Sequence, residues 1–325
     1  MNTLRRLSLG ALLALPLAAH LPAQAQAYPD KPIKMIIPLA AGSAVDNAAR
    51  VVTAKMGESL GQGFAIENIA GSAGVIGAER LARSRPDGYT IGGFNDSILT
   101  MVPHMVPKMP WNALSDFAPV SLVGTIEWGL VVKGDAPYRT LAEFIAAAKA
   151  APGKLNYGSG GNGSPQHIGM ALVAERAGLD LMHVPYKGAT PAAVAVAAGE
   201  VHAAMQGLGT VTSLIQGGKL RLLAVSTPQR LAQFPDVPTF QESGMANFTF
   251  NSWFAMVAPA GTPDEIVQKL NQAVRAAVND PATREKLLSI GVTPRGTSAA
   301  EFGSATKAQF ELYRRLIQEK GIQAN

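Results

Sequence analysis

Short apolar runs rich in isoleucine and valine alternate along this chain with longer amphipathic segments rich in alanine. "IKMIIP" precedes one such segment at 46–60, "GFAIENI" precedes another at 75–82, and "YTIGGF" follows as the next run. This alternation is typical of βαβ units, whose parallel strands are covered by helices on both faces. The pattern restarts after "PVSLVG" and "GLVVKGD" and continues to "KLRLLAVS". The sequence therefore predicts two separate α/β sheets.

Residues 263–325 at the C-terminus have a different character. They predict three helices, over 263–278, 281–290 and 299–320, with little strand signal between them. Helices without a sheet of their own must pack on an existing domain. If they return to the first domain, the chain crosses twice between the two sheets.

The two crossings define the predicted domain organisation. The first is expected near 124–132 and the second near 247–257. We therefore predict two lobes, of which lobe 1 comprises residues 28–126 plus 250–325 and lobe 2 comprises residues 127–249.

The first 27 residues have the features of a secretory signal peptide. Arginines at 5 and 6 precede an apolar run over 7–21, and small residues at 25–27 precede Tyr28. The apolar run is shorter than the roughly 20 residues that span a bilayer. We predict an exported protein that is cleaved before Tyr28 and is not itself inserted in a membrane.

Composition excludes several classes of function. The formal net charge is +5 and no cluster of Lys and Arg is visible, so nucleic acid is not expected as a partner. The chain has no cysteine, which excludes disulfides and thiolate metal sites. His104, His167, His183 and His202 are scattered without the spacing of metal ligands. We predict no metal and no cofactor.

Three junctions between a predicted strand and the following helix are rich in glycine and small polar residues. They are "PLAAGSAVD" at 38–46, "NIAGSAGVIG" at 68–77 and "YGSGGNGSPQH" at 157–167. In an open parallel sheet, ligands bind outside the carboxyl ends of the strands, where these junctions lie. Glycine permits close approach of the backbone, and the following helix presents unpaired N–H groups and a partial positive charge. Each junction is a candidate anion site.

Phosphate binding and nucleophilic catalysis fit these junctions less well. No lysine follows the glycines as it would in a P-loop, and "GSGGNG" matches the dinucleotide fingerprint only in isolation. Ser164 and His167 are close enough in sequence to touch on a helix, but "GNGSPQ" is not the G-x-S-x-G elbow and no carboxylate is placed to orient His167. An exported hydrolase or transferase that uses Ser164 and His167 is the alternative to a binding protein.

Seven segments carry a resemblance to a known family. They read "YPDKPIKMIIP", "ERLARSRPDGYT", "DFAPVSLVG", "KLNYGSGGNGSPQH", "VPYKG", "GKLRLLAVST…RLAQFPDVPTFQESG" and "SWFAMVAPAGTP". From residue 28 to the C-terminus the chain resembles the Bug (Bordetella uptake gene) solute receptors of tripartite tricarboxylate transporters. The resemblance implies an α/β, two-lobed periplasmic binding protein fold with two mostly parallel sheets, flanking helices and a ligand cleft between the lobes.

The same resemblance implies the function and the site. A periplasmic receptor of this kind binds a small carboxylate, mainly through backbone amides and hydroxyl groups, and delivers it to membrane permease subunits; we expect a monomer. The implied ligand-binding residues are Gly42, Ser43, Ala44, Gly71, Ser72, Gly74, Asn95, Ser159, Asn162, Gly163, Ser164, His167, Tyr186 and Gln206. We interpret Lys187, next to Tyr186, as a solvated surface lysine.

Departures from the family pattern bear on the ligand. The family usually reads "PFPPGGSTD" where this chain reads "PLAAGSAVD", which removes hydroxyl donors and adds apolar surface. Gln206 lies in "MQG", where many relatives read "FDN" with an aspartate suited to an α-ammonium group. Asp96 either restores a negative charge or caps a helix after Asn95. We expect a dicarboxylate or a carboxylate with an aromatic or apolar body, not an amino acid. Delivery to a sensor kinase instead of a permease is an open alternative.

Overall fold

The structure is a computed structural model that describes residues 28–320, so the predicted signal peptide lies outside the described residues. The strands are β1 (Ile33–Ile37), β2 (Phe64–Asn68), β3 (Thr90–Asn95), β4 (Phe117–Lys133), β5 (Asn156–Ser159), β6 (Met182–Pro185), β7 (Ala203–Gly207), β8 (Leu220–Val225), β9 (Asn251–Pro259) and β10 (Val292–Pro294). The α-helices are α1 (Ala44–Leu60), α2 (Val75–Ala82), α3 (Asp96–Thr100), α4 (Leu141–Ala150), α5 (Pro165–Ala177), α6 (Ala189–Ala198), α7 (Leu208–Gln216), α8 (Asp264–Asn279), α9 (Pro281–Ser289) and α10 (Ala299–Lys320). None of these helices combines the length and apolarity that crossing a bilayer requires.

The long strand β4 joins two groups of strands. The strand order is β2-β1-β3-β9-β4-β7-β5-β6, and β10 and β8 also pair with β4. Residues 117–127 of β4 pair with β9, whereas residues 128–132 pair with β7 and residues 129–133 with β8. We call β2, β1, β3, β9, β10 and the first part of β4 the first half-sheet. The second half-sheet comprises β6, β5, β7, β8 and the rest of β4.

The predicted α/β fold class is confirmed, with one correction to the direction of the strands. The pairs of β1 with β2 and β3, and of β5 with β6 and β7, are parallel. Every pair that includes β4 or β9 is antiparallel. The reason is that β4 carries the chain out of the first half-sheet and β9 carries it back, so the two run in opposite directions. Each half-sheet is therefore mixed and not mostly parallel.

The C-terminal helices return to the first half-sheet. Helices α8 and α9 pack on α1, and α10 packs on α3 and β4. Strand β10 was not expected from the sequence, and its three residues pair with residues 124–126. β4 changes partners between Glu127 and Trp128, which is one residue beyond the predicted lobe boundary. The division into lobes 28–126 plus 250–325 and 127–249 stays a prediction.

Local sequence signals explain where the helices next to the predicted loops begin. The Ser43 side chain accepts a hydrogen bond from the Asp46 amide at the start of α1, and the Ser164 side chain accepts one from the His167 amide at the start of α5. Such N-caps satisfy amides that have no partner within the helix. Both helices therefore begin directly at the edge of a predicted anion site.

Candidate functional site

A cavity of about 560 Å³ lies between the two half-sheets, at the carboxyl ends of six strands. The segments that follow β1, β2, β3, β5, β6 and β7 all contribute to its lining. They contribute residues 38–40 and 43–45, 70–75, Asn95 with Ser97, 160–162 with 164–166, 186–189, and Gly207 with Thr210. Ligands of open α/β sheets bind at this edge. The cavity is therefore our candidate ligand site.

One wall of the cavity is apolar. Val102, Met105, Val106 and Pro110 form it, in a segment between α3 and β4 that the sequence did not single out. The crossover strands contribute Ile126 and Trp128 on β4 and Ser252 on β9. The Trp128 Nε1–H donates to Ser252 Oγ at 2.8 Å, so the polar atom of this large ring is satisfied within the protein. A ligand at this wall contacts mostly carbon.

The charge of the lining is positive. Of the lining residues within 28–320, Lys108 and Lys187 alone are charged, and no Asp or Glu is among them. Both lysines are exposed and lie on opposite sides, because Lys108 precedes β4 and Lys187 follows β6. Lys187, interpreted as a surface residue from the sequence, is therefore exposed and also lines the cavity. This charge balance favours an anion over a cation.

Three amides of the first loop have hydrogen-bond partners within the protein. The Gly42 amide donates to Asp46 Oδ2 at 2.9 Å, the Ser43 amide to the Ala40 carbonyl at 3.1 Å, and the Ala44 amide to Thr210 Oγ1 at 2.9 Å. Burial raises the pKa of Asp46, but hydrogen bonds from Arg50, Gly42 and Asn68 outweigh it and lower the pKa overall. Ser43 and Ala44 line the cavity, whereas Gly42 lies behind it.

The second loop has free amides and an unusual backbone. Gly71, Ser72, Ala73 and Gly74 all have positive φ, at 125°, 47°, 52° and 94°. For Ser72 and Ala73, which carry a Cβ, this conformation is strained. Among the described residues, the amides of Gly71, Ser72 and Ala73 have no hydrogen-bond partner, and all four residues line the cavity. Successive free amides in such a turn form a concave anion-binding surface.

The third loop lines the cavity through Gly160, Gly161, Asn162 and Ser164. Behind it, the Gly161 amide donates to Ser159 Oγ at 3.1 Å, and the Gly163 amide donates to His167 Nδ1 at 3.1 Å. The Ser164 hydroxyl is occupied by the amide of His167, and the His167 ring faces Gly163. Ser164 and His167 are therefore not arranged as a nucleophile and its general base.

The structure places nine of the fourteen predicted residues in the lining. These are Ser43, Ala44, Gly71, Ser72, Gly74, Asn95, Asn162, Ser164 and Tyr186. The other five, Gly42, Ser159, Gly163, His167 and Gln206, do not line it. The first four of them hold the first and third loops, and the Gln206 Nε2 donates to the carbonyl of Ala189 at 3.2 Å.

Gln166 and Thr210 are among the polar residues of the lining that the sequence interpretation missed. Gln166 is 6% exposed, and its side chain has no hydrogen-bond partner among the described residues. Thr210 lines the cavity at the start of α7 and accepts from the Ala44 amide. Gln166 stands two residues after the N-cap Ser164, and the backbone amide at that position has no partner within the helix and is available to a ligand at the helix N-terminus. Its position at the start of a predicted helix could have identified Gln166 as a lining residue, whereas nothing in the sequence distinguishes Thr210.

Asp96 is buried away from the cavity. Its side chain is fully buried, and within residues 28–320 neither carboxylate oxygen has a hydrogen-bond partner. Burial raises the pKa of Asp96 to about 8, although the nearby amides of Ser97 and Trp253 oppose the shift. At neutral pH the group is therefore mostly protonated and uncharged. It does not place a negative charge in the ligand site.

The raised pKa of Asp96 predicts a pH-dependent stability. The folded protein holds a proton that the unfolded chain releases above about pH 4, so the free energy of unfolding falls as the pH rises from about 4 to about 8. Asp96→Asn removes this dependence and is expected to raise the stability at pH 8.5 by ~2 kcal/mol or more. Urea unfolding of both proteins at pH 4.5 and pH 8.5 measures the difference. Asp236→Asn, at an exposed site, is the control. If the free energy of unfolding changes by the same amount between the two pH values in all three proteins, the prediction is refuted.

Comparisons with known proteins match nearly the whole chain. The sequence profile described as "Tripartite tricarboxylate transporter family receptor" matches residues 48–322. Protein BugT of Bordetella pertussis is 35% identical over 295 residues, which cover 90% of each chain.

Two solved structures from Rhodopseudomonas palustris share the fold. Rpa4515 with adipate has 31% identity and a TM-score of 0.87, covering 91% of this chain and 99% of its own. MatC with bound malate has 28% identity and a TM-score of 0.83, covering 89% of this chain and 100% of its own.

Proposed function

Since the chain belongs to the receptor family of tripartite tricarboxylate transporters, we propose that its cavity binds a carboxylate with an extended apolar body and no amino group. The family consists of periplasmic solute receptors that work with transporter membrane components. The protein is accordingly a receptor and not an enzyme, which removes the hydrolase alternative. Two similar proteins hold adipate and malate, both of which are carboxylates.

The observation that carries the proposal is the asymmetry of the lining. Gly71, Ser72 and Ala73, whose amides have no hydrogen-bond partner among the described residues, line the cavity on one side, and Met105 and Val106 of the apolar wall line another. A carboxylate gains roughly 1.5–3 kcal/mol from each hydrogen bond to such a donor. The methylene or aromatic part of the ligand gains from burial against the apolar wall. We assign the ligand carboxylate to the second loop, because the Gly42, Ser43 and Ala44 amides of the first loop already have partners.

Hydrogen bonds across the cleft support a ligand that is enclosed between the half-sheets. Thr190 Oγ1 on α6 donates to the Ala41 carbonyl at 2.9 Å, and Asn47 Nδ2 on α1 donates to the Gly209 carbonyl at 2.6 Å. The crossover segments join the two sides, so rotation about them opens or closes the cleft. In this proposal, closure around the carboxylate produces the surface that the membrane component of the transporter contacts.

One experiment tests the proposal together with export. The protein is purified, without a refolding step, from the periplasm of the bacterium that naturally produces it. Native mass spectrometry then gives the mass of the chain and of any retained ligand. We expect a monomer that begins at Tyr28 and carries a small acid, and isothermal titration with adipate then gives a dissociation constant. A basic or neutral ligand would refute the carboxylate assignment. A mass that includes residues 1–27 would refute cleavage.

A further inference from the structure

His167 lies behind the third loop, not in the cavity lining, and contacts that loop through one ring nitrogen. The Gly163 amide donates to His167 Nδ1 at 3.1 Å. An imidazole nitrogen that accepts a hydrogen bond carries no proton, so His167 must be neutral, with its proton on Nε2. The shape of the loop therefore depends on the protonation state of this ring.

His183 on β6 supports the same loop from the other end. Its Nε2 lies 2.6 Å from Ser159 Oγ, and the Ser159 hydroxyl also contacts the carbonyl and the amide of Gly161. All three contacts are satisfied at once when His183 Nε2–H donates to Ser159 Oγ and the Ser159 hydroxyl donates to the Gly161 carbonyl. The lining residues Gly160, Gly161 and Asn162 thus lie between two histidine contacts, that of His183 with Ser159 and that of His167 with Gly163. Ser164 of the lining follows Gly163 directly.

The two histidine rings are stacked on each other. The ring centroids of His167 and His183 are 4.2 Å apart with an angle of 3° between the planes, and Tyr157 on β5 stacks on the far side of His183 at 5.0 Å. Two imidazolium rings at this separation repel each other, so the stack is stable when at most one is charged.

The surroundings keep both rings neutral. Burial lowers the pKa of His167, and burial together with the neighbouring His167 lowers the pKa of His183 to about 4. Tyr157 from β5 is the further titratable group that stacks on the pair, and no carboxylate contributes to the charge at either ring within residues 28–320. Nothing in that part of the chain compensates a positive charge on the stack.

We propose that His167 is a positioning residue for ligand binding, whose neutral ring holds residues 160–164 in the conformation that lines the cavity, and that acid releases this loop. Protonation places an N–H on Nδ1 opposite the N–H of Gly163, and two donors then face each other without an acceptor. The loop must move to relieve this contact. The effect on the loop is independent of the proposed function, whereas the consequent loss of carboxylate affinity rests on it.

The first test needs no ligand. Long-range ¹H–¹⁵N spectra of the histidine side chains report the tautomer of His167, and amide hydrogen exchange reports the protection of residues 160–164. We expect the Nε2–H tautomer at pH 7.5 and at least tenfold faster exchange of the Gly163 amide in His167→Leu, which removes the acceptor. A proton on Nδ1 at pH 7.5, or equal protection in His167→Leu and wild type, would overturn the proposal.

The second test separates the titration of His167 from that of the ligand. His167→Asn keeps an oxygen acceptor near the position of Nδ1 but cannot become charged, and His202→Asn is a matched control away from the loop. Adipate titrations at pH 7.5 and pH 5.0 give the loss of affinity between the two pH values for each protein. This loss should be at least about threefold larger in wild type and in His202→Asn than in His167→Asn. Protonation of adipate affects all three equally. Parallel losses in the three proteins would overturn the role of His167. If adipate does not bind at all, the first test alone decides.

Discussion

A Gly163→Val variant should keep its fold and lose at least about a hundredfold in carboxylate affinity. Gly163 has a φ of 75°, a conformation that a β-branched residue adopts only with strain. A Cβ at this position would lie 2.6 Å from Met105 Cε and 3.2 Å from Met105 Sδ. The added side chain therefore displaces the end of the Met105 side chain, which belongs to the apolar wall of the cavity. A hundredfold loss corresponds to about 2.7 kcal/mol.

Gly178→Val is the matched control for this prediction. Gly178 also has a positive φ, at 63°, but it ends α5, and apart from its neighbours in the chain no atom of residues 28–320 lies within 4 Å of its added Cβ. The same backbone strain is therefore introduced without a contact to the cavity. Circular dichroism and adipate calorimetry on both variants separate the two effects. If Gly163→Val is folded and binds as tightly as Gly178→Val, then the third loop does not contact the ligand.

The sequence was informative wherever a local pattern determines the structure. The segment 75–82 was predicted as a helix with the bounds that α2 has, and the caps at Ser43 and Ser164 begin α1 and α5 next to the cavity. The glycine-rich junctions reach the lining because the carboxyl ends of parallel strands meet at one edge. These features depend on residues that are close in sequence.

Features that depend on distant contacts were not predictable in the same way. The mixed strand directions follow from two crossings of the chain, and β4 reads as two separate apolar runs because its partners change at Trp128. Met105 joins the cavity wall through packing, without a repeating pattern around it. His167 and His183 are sixteen residues apart, and only the pairing of β5 with β6 brings the second ring onto the first.

An α-amino group on the ligand should weaken binding by at least about a hundredfold. Of the described residues that line the cavity, none is acidic, and its two charged side chains, Lys108 and Lys187, have the same sign as an ammonium group. Asp96, whose pKa burial raises to about 8, is buried away from the lining, and Gln206 is uncharged and lies outside it. Burial of an ammonium group without a negative partner costs several kcal/mol. The expected discrimination corresponds to about 2.7 kcal/mol.

Paired titrations measure this discrimination directly, with adipate against 2-aminoadipate and succinate against aspartate. Gln166→Glu is the informative variant because it adds one negative charge at a lining position that is 6% exposed, with a side chain of nearly the same shape. It should weaken binding of the plain acid through repulsion and bring the amino acid closer in affinity. A wild-type protein that binds aspartate or 2-aminoadipate as tightly as the matching acid would show that an acidic group reaches the ligand after closure. If Gln166→Glu leaves the ratio of the two affinities unchanged, the amino group of the ligand lies away from the third loop. The first result therefore reports the charge of the cavity, and the second reports the orientation of the ligand.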